Sequence, residues 1–279
     1  MNDHAGGGLP AAGPPSRSAD RRRAPLPTRF GSLPALPPEF RRALDDGVAA
    51  LGLPLSPTAR RAIDAHARLL LAWNAAINLT AITDPGEIAH RHVVDSLSAV
   101  PLVAATGRPV RLLDLGSGGG YPGLPIVAAL PVVTGLLVES VGKKARFLEA
   151  AVEAAGLGSR LSVAARRGEH IAAEVGAGRL EPFDVVTARA IGALAELVEL
   201  ALPVLGIGGR LIAWKRGDLA PEVAAGARAA AALGGSRPAV HEVPGATGLA
   251  GHRLIVVEKR RPTPTGHPRE PARRRARPW

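Results

Sequence analysis

The chain has 279 residues, of which 46% are hydrophobic, and it carries a formal net charge of +11. This length fits one large domain with additions, and its core must rest on Ala, Leu and Val because only three Trp, one Tyr and four Phe are present. The lack of cysteine excludes disulfides, thiolate metal sites and a cysteine nucleophile. No histidine pattern indicates a metal site, and no apolar run reaches the roughly 18 residues of a membrane helix. We therefore expect a cytoplasmic protein that binds neither a metal nor a membrane.

Most of the positive charge lies at the two ends of the chain. Residues 1–35 contain five Arg and two Asp, and residues 260–279 contain seven Arg and one Glu, so the stretch between them is nearly balanced. A basic chain is typical of nucleic-acid partners, but ends rich in Pro and Arg without periodicity are typical of disorder. We expect residues 1–36 and 260–279 to be disordered tails, with a specific RNA-binding arm as the alternative.

Residues 37–105 are predicted to form an all-helical cap. Apolar spacing indicates a short helix over 38–51, and Ser56 followed by Pro57 is an N-cap signal for a longer one. A second start signal at Asp84 opens another helix. The charged face of that helix is formed by Arg91, His92 and Asp95.

A glycine cluster follows the first predicted strand, over 110–115, and leads into a helix. Glycines at Gly116, Gly118 and Gly120 let the backbone turn tightly and approach a ligand. With Asp114 before them, the pattern Asp-x-Gly-x-Gly-x-Gly resembles the first motif of S-adenosylmethionine-dependent methyltransferases more than the Gly-x-Gly-x-x-Gly of NAD enzymes. The negative charge of a pyrophosphate must be stabilised by backbone amides and a helix dipole. S-adenosylmethionine has no phosphate, carries two cationic groups and tolerates a nearby carboxylate, so it is the predicted cofactor.

Residues 106–259 alternate between strands and helices, which predicts an α/β domain with a Rossmann-like, seven-stranded, mostly parallel sheet. The strands are expected at 110–115, 133–139, 161–165, 183–188, 209–214, 238–243 and 252–259. The last two strands have no helix between them, so we expect the sheet to end in an antiparallel hairpin.

Candidate ligand-binding residues follow the predicted strands. Glu139 ends the second strand, where doubly wound domains use a carboxylate to accept hydrogen bonds from ribose hydroxyls. Gly168 and Glu169 follow the third strand, at the edge that borders the adenine in methyltransferases. Arg189 follows the fourth and is suited to the carboxylate of the cofactor or an RNA phosphate. The competing interpretations are a surface carboxylate for Glu139, a plain turn for Gly168 and a salt-bridged loop arginine for Arg189.

The residues after the fourth strand, 187–190, lack the Asn/Asp-Pro-Pro-aromatic motif that binds exocyclic amines of bases. A ring nitrogen such as guanine N7 has a lone pair and no proton to lose, so positioning alone would suffice for methyl transfer. We therefore name no catalytic side chain. Lys215 and Arg216 follow the fifth strand and, with Arg91 and His92, predict a basic rim suited to RNA phosphates; a solvated charged loop is the alternative.

Several stretches between about residues 40 and 259 together resemble one family, the bacterial 16S ribosomal RNA guanine-N7 methyltransferases, once called glucose-inhibited division protein B. The specific elements are Arg91-His92-x-x-Asp95-Ser96 and Pro122-Gly123-x-Pro125. The supporting ones are Trp73-Asn74-x-x-Ile77-Asn78-Leu79-Thr80, Lys143-Lys144-x-Arg146-Phe147-Leu148, Phe183-Asp184, Arg189-Ala190 and Lys215-x-Gly217.

The resemblance implies a class I methyltransferase fold and methylation of a guanine N7 in the decoding region of 16S rRNA, either as naked RNA or in the 30S particle, by a monomer. The cofactor contacts that it implies are Gly116, Tyr121, Gly168, Glu169 and Arg189. Tyr121 stands where an aliphatic residue is common in the family, and the arginine-rich tails are not family features.

Three other functions remain open from the residues. They are a methyltransferase of the same fold for a small molecule or protein, a non-catalytic RNA-binding module, and an NAD-dependent oxidoreductase. The glycine spacing disfavours the last of these, and an intact cofactor site would disfavour the second.

Overall fold

The computed structural model describes residues 26–105, 107–244 and 248–279, so the prediction of disorder for residues 1–25 lies outside the described residues. The N-terminal cap is helical, as expected. Its helices are α1 (Pro38–Ala50), α2 (Pro57–Ile77), α3 (Pro85–Ile88), a π-helical turn (Ala89–Val94), α4 (Asp95–Leu97) and α5 (Val100–Ala104).

The predicted helix-start signals act as caps. The Ser56 hydroxyl accepts a hydrogen bond from the Ala59 N–H at the start of α2. The Asp84 carboxylate accepts one from the Glu87 N–H at the start of α3. The end of α2 is Asn78, in the left-handed conformation with φ of 52°, which asparagine tolerates better than most residues.

Seven strands form a single sheet in the order β3-β2-β1-β4-β5-β7-β6. The strands are β1 (Val110–Leu115), β2 (Val133–Val138), β3 (Leu161–Ala164), β4 (Phe183–Arg189), β5 (Leu205–Arg216), β6 (Ala239–Glu242) and β7 (His252–Glu258). The first five pair in parallel, and β7 runs antiparallel to both β5 and β6. The predicted mostly parallel sheet with a final hairpin is confirmed.

The helices of the α/β domain cover both faces of the sheet. They are α6 (Gly123–Ala129), α7 (Gly142–Ala154), α8 (Gly168–Gly176), α9 (Leu194–Ala201) and α10 (Ala220–Leu233). Residues of the cap, α6 and α7 share one apolar core with one face of the sheet, and residues of α8, α9 and α10 form the second core on the other face. The cap is thus built into the domain, on the face of the sheet that α6 and α7 cover. None of the helices in the described ranges is long and apolar enough to cross a membrane.

The expectation of a disordered N-terminal tail is wrong for residues 26–36. The indole N–H of Trp73 donates a 2.7 Å hydrogen bond to the Pro27 carbonyl. Phe30 lies under the guanidinium groups of Arg61 and Arg68, and Leu36 is buried. These residues are ordered because α2 presents an apolar and cationic surface that they cover.

The C-terminal tail is also ordered, contrary to expectation, and it contains a short helix, α11 (Pro271–Ala276). Arg269 donates to both oxygens of Glu199, a carboxylate on α9 that is completely buried. The indole N–H of Trp279 reaches the same carboxylate. A buried carboxylate needs charge-matched partners, and the arginine-rich segment supplies them, which its composition alone does not reveal.

Candidate functional site

The glycine loop after β1 has the conformation that its sequence predicts. Gly116 and Gly120 have φ of +65° and +87°, a region that favours glycine. A Cβ at Gly116 would lie 2.9 Å from the Ile191 side chain, and one at Gly120 would lie 2.8 Å from the ring of His66. The loop is further held by a 2.7 Å hydrogen bond between His66 and the Gly119 carbonyl. The turn therefore requires glycine both for its conformation and for its close contacts.

Asp114 has a structural role at this loop. Its carboxylate is fully buried and accepts hydrogen bonds from the Thr187 hydroxyl at 2.7 Å and the Gly123 N–H at 3.2 Å. Burial raises the pKa of Asp114 to about 6, although these donors act in the opposite direction. The carboxylate thus joins β1 to β4 and to the start of α6, and it does not line the cavity beside the loop.

A cavity of about 460 Å³, which we name the loop cavity, lies beside the glycine loop. Among its lining residues are five of the predicted ligand-binding residues, namely Gly116, Gly118, Tyr121, Glu139 and Arg189. The cap contributes Thr80 and His92, and α7 contributes Lys144. The structure does not bring the remaining three predicted residues, Gly120, Gly168 and Glu169, to its wall.

Glu169 has a different partner from the one predicted. It lies in the first turn of α8, where its carboxylate accepts a hydrogen bond from Arg274 of α11. Burial would raise the pKa of Glu169, but the hydrogen bond and charge of Arg274 outweigh it and lower the pKa. Gly168 packs its backbone near Leu115. A contact of either residue with a cofactor stays a prediction.

Glu139 and Tyr121 are two buried polar side chains beside the glycine loop that line the loop cavity. The Glu139 carboxylate, 7% exposed, accepts from the Gly118 N–H at 3.1 Å and the Val141 N–H at 2.8 Å, so each oxygen is oriented and keeps a lone pair for a ligand hydroxyl. The buried Tyr121 hydroxyl has no hydrogen-bond partner within the described part of the chain, and burial raises its pKa. A ligand hydroxyl, such as one of a ribose, would pair with the Glu139 carboxylate.

Arg189 connects the glycine loop to the cap. Its guanidinium pairs with Asp95 at 3.0 Å, donates to the carbonyls of Arg91 and His92, and lies 5.4 Å from the centre of the Tyr121 ring. Asp95 is buried, so its charge is matched by the arginine. This paired arginine still lines the loop cavity.

A second cavity, of about 610 Å³, continues from the loop cavity, and we name it the rim cavity. The two share His92, Arg189, Ala190 and Ile191, which we name the junction. The walls of the rim cavity beyond the junction include Arg91, Asp95, Trp214, Lys215, Arg216 and His252. A third, outer cavity of about 760 Å³ adjoins it along Arg91, Arg216 and His252.

The four predicted RNA-binding residues meet at the rim cavity, but only Arg91 and Arg216 are exposed. Arg216 is exposed, and Arg91 is exposed with a 3.3 Å ion pair to Glu87. Lys215 is paired with Glu222 and donates to the Gly192 carbonyl, so its charge is largely neutralised within the protein. His92 is held by Thr80 at 2.8 Å.

Neither ionisable side chain of the junction, His92 or Arg189, is free to take a proton from a bound base. Burial, reinforced by the charge of Arg189, lowers the pKa of His92 to about 4. One ring nitrogen of His92 meets the Thr80 hydroxyl and the other lies 3.4 Å from an Arg189 nitrogen. Ala190 and Ile191 are apolar. Within the described residues, no group of three or more His, Cys, Asp and Glu side chains is arranged to hold a metal ion.

Two residues of the rim cavity, Trp214 and His252, were not predicted from the sequence. The Trp214 indole N–H donates to the Asp95 carbonyl at 2.8 Å, and His252 Nδ1 lies 2.9 Å from Asp95 Oδ1. His252 opens β7, which is antiparallel, so its first residue lies opposite Arg216 at the edge where the parallel strands end. The predicted hairpin contained this signal, since it places the start of the last strand beside the end of the fifth.

Comparison with known proteins points to one family. A family model described as rRNA small subunit methyltransferase G matches residues 59–248. A ribosomal RNA small subunit methyltransferase G from Roseiflexus castenholzii is 44% identical over 219 residues, which are 75% of this chain and 88% of that protein. The protein of the same name from Sorangium cellulosum is 40% identical over 249 residues, 88% of this chain and 97% of that protein.

A solved structure agrees with the fold. The O-methyltransferase from Bacillus cereus in complex with SAH superimposes with a TM-score of 0.51 at 18% identity, covering 78% of this chain and 97% of that one. This likeness concerns the fold alone, which is that of a class I methyltransferase.

Proposed function

The chain belongs to the rRNA small subunit methyltransferase G family and is an S-adenosylmethionine-dependent rRNA methyltransferase, and we propose that it methylates N7 of a guanine in the decoding region of 16S rRNA. The loop cavity holds the cofactor, and the target base enters through the rim cavity. The enzyme acts as a cytoplasmic monomer on 16S rRNA or the 30S particle.

In the loop cavity, the proposed cofactor contacts follow from the groups that line it. Glu139 accepts hydrogen bonds from the ribose hydroxyls, because its oriented oxygens keep free lone pairs. The backbone of Gly116 and Gly118 permits close approach. Arg189 faces the cofactor carboxylate. When bound, S-adenosylmethionine would supply an electrophilic methyl group for N7, with S-adenosylhomocysteine as the leaving group.

The observation that carries the N7 assignment is the chemistry of the junction. Arg189 is paired with Asp95, both nitrogens of His92 are engaged, and Ala190 offers no polar side chain. An exocyclic amine would need acceptors at this point to orient it and to take its proton. A guanine N7 needs neither, because its lone pair attacks directly and the nitrogen has no proton to lose. Holding the base in line with the methyl group is then the main contribution of the protein.

The rim cavity supports an RNA partner through Arg91 and Arg216. Both arginines are exposed and line the rim cavity and the outer cavity, so they are available to phosphates beside the target base. Lys215 and His92 contribute through their position at the cavity more than through free charge, because each already has a protein partner. A base inside the rim cavity must leave its stack, as expected for chemistry on a single base.

Mass mapping of 16S rRNA tests this proposal. RNA from a strain that lacks this protein should have lost one 7-methylguanosine in the decoding region, and a plasmid copy of the wild-type chain should restore it. A variant Glu139→Ala should not restore it. If the rRNA of the deletion strain has an unchanged set of methylated guanines, the proposal is wrong.

A further inference from the structure

The contact between Asp95 and His252 faces the rim cavity and has no part in the methyl transfer itself. Nδ1 of His252 lies 2.9 Å from Oδ1 of Asp95, and the other carboxylate oxygen accepts from Arg189 at 3.0 Å. The Asp95 side chain is only 4% exposed. Because both oxygens are occupied, the carboxylate holds the imidazole ring in one orientation.

That orientation decides which nitrogen of His252 faces the cavity. A carboxylate only accepts hydrogen bonds, so the proton of the contact is on Nδ1. In the neutral ring, Nε2 then carries a lone pair and accepts. Nε2 has no hydrogen-bond partner among the residues that the structure describes, and the ring lines both the rim cavity and the outer cavity. His252 therefore presents a free acceptor to whatever enters the rim cavity.

We propose that His252 is a specificity-determining residue, whose Nε2 accepts a hydrogen bond from the N1–H or the 2-amino group of the target guanine. This rests on the proposed function, which puts N7 at the junction. The two donors lie on the Watson–Crick edge, away from N7, and His252 is shared with the outer cavity and not with the loop cavity. A base taken out of its stack is commonly read on that edge.

The same contact rejects adenine. Adenine also has an N7, but it presents a lone pair at N1 and has no 2-amino group, so Nε2 would face another acceptor. A site built around a hydrogen bond discriminates strongly against a ligand that leaves its polar group unpaired.

The ring is positioned before any substrate binds. The Trp214 indole N–H donates to the Asp95 carbonyl at 2.8 Å, and His252 is opposite Arg216 in the pairing of β5 with β7. The cap and the sheet edge thus fix the acceptor from two sides. Such support by surrounding contacts is what a specificity contact requires. Asp95 is the positioning residue of this pair.

The test varies the target base at the position that the mass mapping locates, in otherwise unchanged 16S rRNA. The four bases are guanine, inosine without the 2-amino group, 2-aminopurine without N1–H, and 7-deazaguanine without N7. The enzymes are wild type, His252→Ala and the control His241→Ala, an exposed histidine on β6. For guanine, we expect His252→Ala to lower kcat/KM about 10- to 100-fold, while His241→Ala and the affinity for S-adenosylmethionine stay unchanged.

The analogues separate the possible outcomes. For the base that lacks the contacted N–H, His252→Ala should change kcat/KM less than about threefold, because wild type has already lost the contact. An equal loss on guanine, inosine and 2-aminopurine would overturn the proposal. Methylation of 7-deazaguanine by wild type would overturn the N7 assignment instead, so the two failures are distinguishable.

A second variant covers the case in which His252→Ala fails to fold. His252→Gln keeps an acceptor oxygen, and it should retain at least about one tenth of the wild-type kcat/KM on guanine. A stable His252→Gln that loses the activity entirely would contradict the proposed contact.

Discussion

At the scale of single residues, Glu139 gives the sharpest test of the cofactor site. Glu139→Gln removes the charge and turns one oxygen into an N–H group that faces the Gly118 or the Val141 N–H. We expect the Kd for S-adenosylmethionine to rise about 10- to 100-fold, since hydrogen bonds to a charged group contribute about 1.5–3 kcal/mol. Calorimetric titration measures this change.

The control is Glu149→Gln, an exposed glutamate on α7 that does not line the loop cavity. It should bind the cofactor with wild-type affinity. Equal affinities for wild type and Glu139→Gln would remove Glu139 from the cofactor site.

Residues whose positions follow from local geometry could be placed beside the loop cavity from the sequence. Gly116 and Glu139 are of this kind, because a strand–turn–helix unit fixes their place relative to each other. The ion pairs of Asp95 with Arg189 and His252 could not be predicted, because the pairs span 94 and 157 residues of the chain. The same is true of Glu169, which is near its expected place but is paired with Arg274 from the C-terminal segment.

At the scale of elements, the C-terminal segment stabilises the fold through Glu199. Arg269→Leu would leave this fully buried carboxylate without its main cation. We expect the free energy of unfolding to fall by about 3–5 kcal/mol at pH 7, the cost of removing one partner of a buried pair. Urea unfolding measures this, and Arg275→Leu, at an exposed arginine of α11 in the same C-terminal segment, is the matched control with little effect.

The contribution of the Glu199–Arg269 pair to the free energy of unfolding depends on pH, and the direction of that dependence can be derived. Burial alone would raise the pKa of Glu199, but hydrogen bonds from Arg269 and Trp279 lower it to about 2 from 4.5. The pair therefore stabilises the protein fully above about pH 4.5, and that contribution is lost as the pH falls toward 2. The difference between wild type and Arg269→Leu should shrink in the same range. A difference that is constant from pH 7 to pH 3 would contradict this account.

The sequence predicted which segments form helices and strands better than it predicted how those segments pack against one another. The seven strands and the closing hairpin follow from periodicity and from the lack of a helix between the last two strands. The π-helical turn at Ala89–Val94 was predicted as ordinary helix, since nothing in its composition marks the wider turn. Order in the terminal segments depends on distant acidic and aromatic partners, so composition alone predicted disorder.

At the scale of the whole molecule, residues 26–36 extend the core beyond the cap. Deleting residues 1–36 would expose the Trp73 indole and the surface that Phe30 covers. We expect a loss of about 3 kcal/mol, which corresponds to a Tm lower by roughly 6–12 °C. Deleting residues 1–25 removes none of these contacts and should change the Tm by less than about 2 °C. Both forms should still methylate rRNA at low temperature, and equal Tm values for the two deletions would contradict the packing role.

The distribution of charge over the whole molecule predicts which arginines bind RNA. Two of the C-terminal arginines, Arg269 and Arg274, are committed to buried or partly buried carboxylates, so the net charge overstates the surface available to phosphates. Arg216 lies at the edge where the parallel strands end and lines the rim cavity, the proposed entrance for the target base. Arg179 is also exposed but lies between α8 and β4, at the opposite edge of the sheet. It is therefore the matched control.

We expect Arg216→Ala to weaken binding of 16S rRNA and to reduce the slope of log affinity against log salt by about one, because one phosphate contact is lost. Arg179→Ala should leave both quantities at their wild-type values. Filter binding over a series of salt concentrations measures the slope for each variant. If both substitutions reduce the slope equally, RNA binding depends on net charge over the whole surface and not on the edge that carries the two cavities. If neither does, the phosphates beside the target base are held by other residues of that edge, with Arg91 as the first to test.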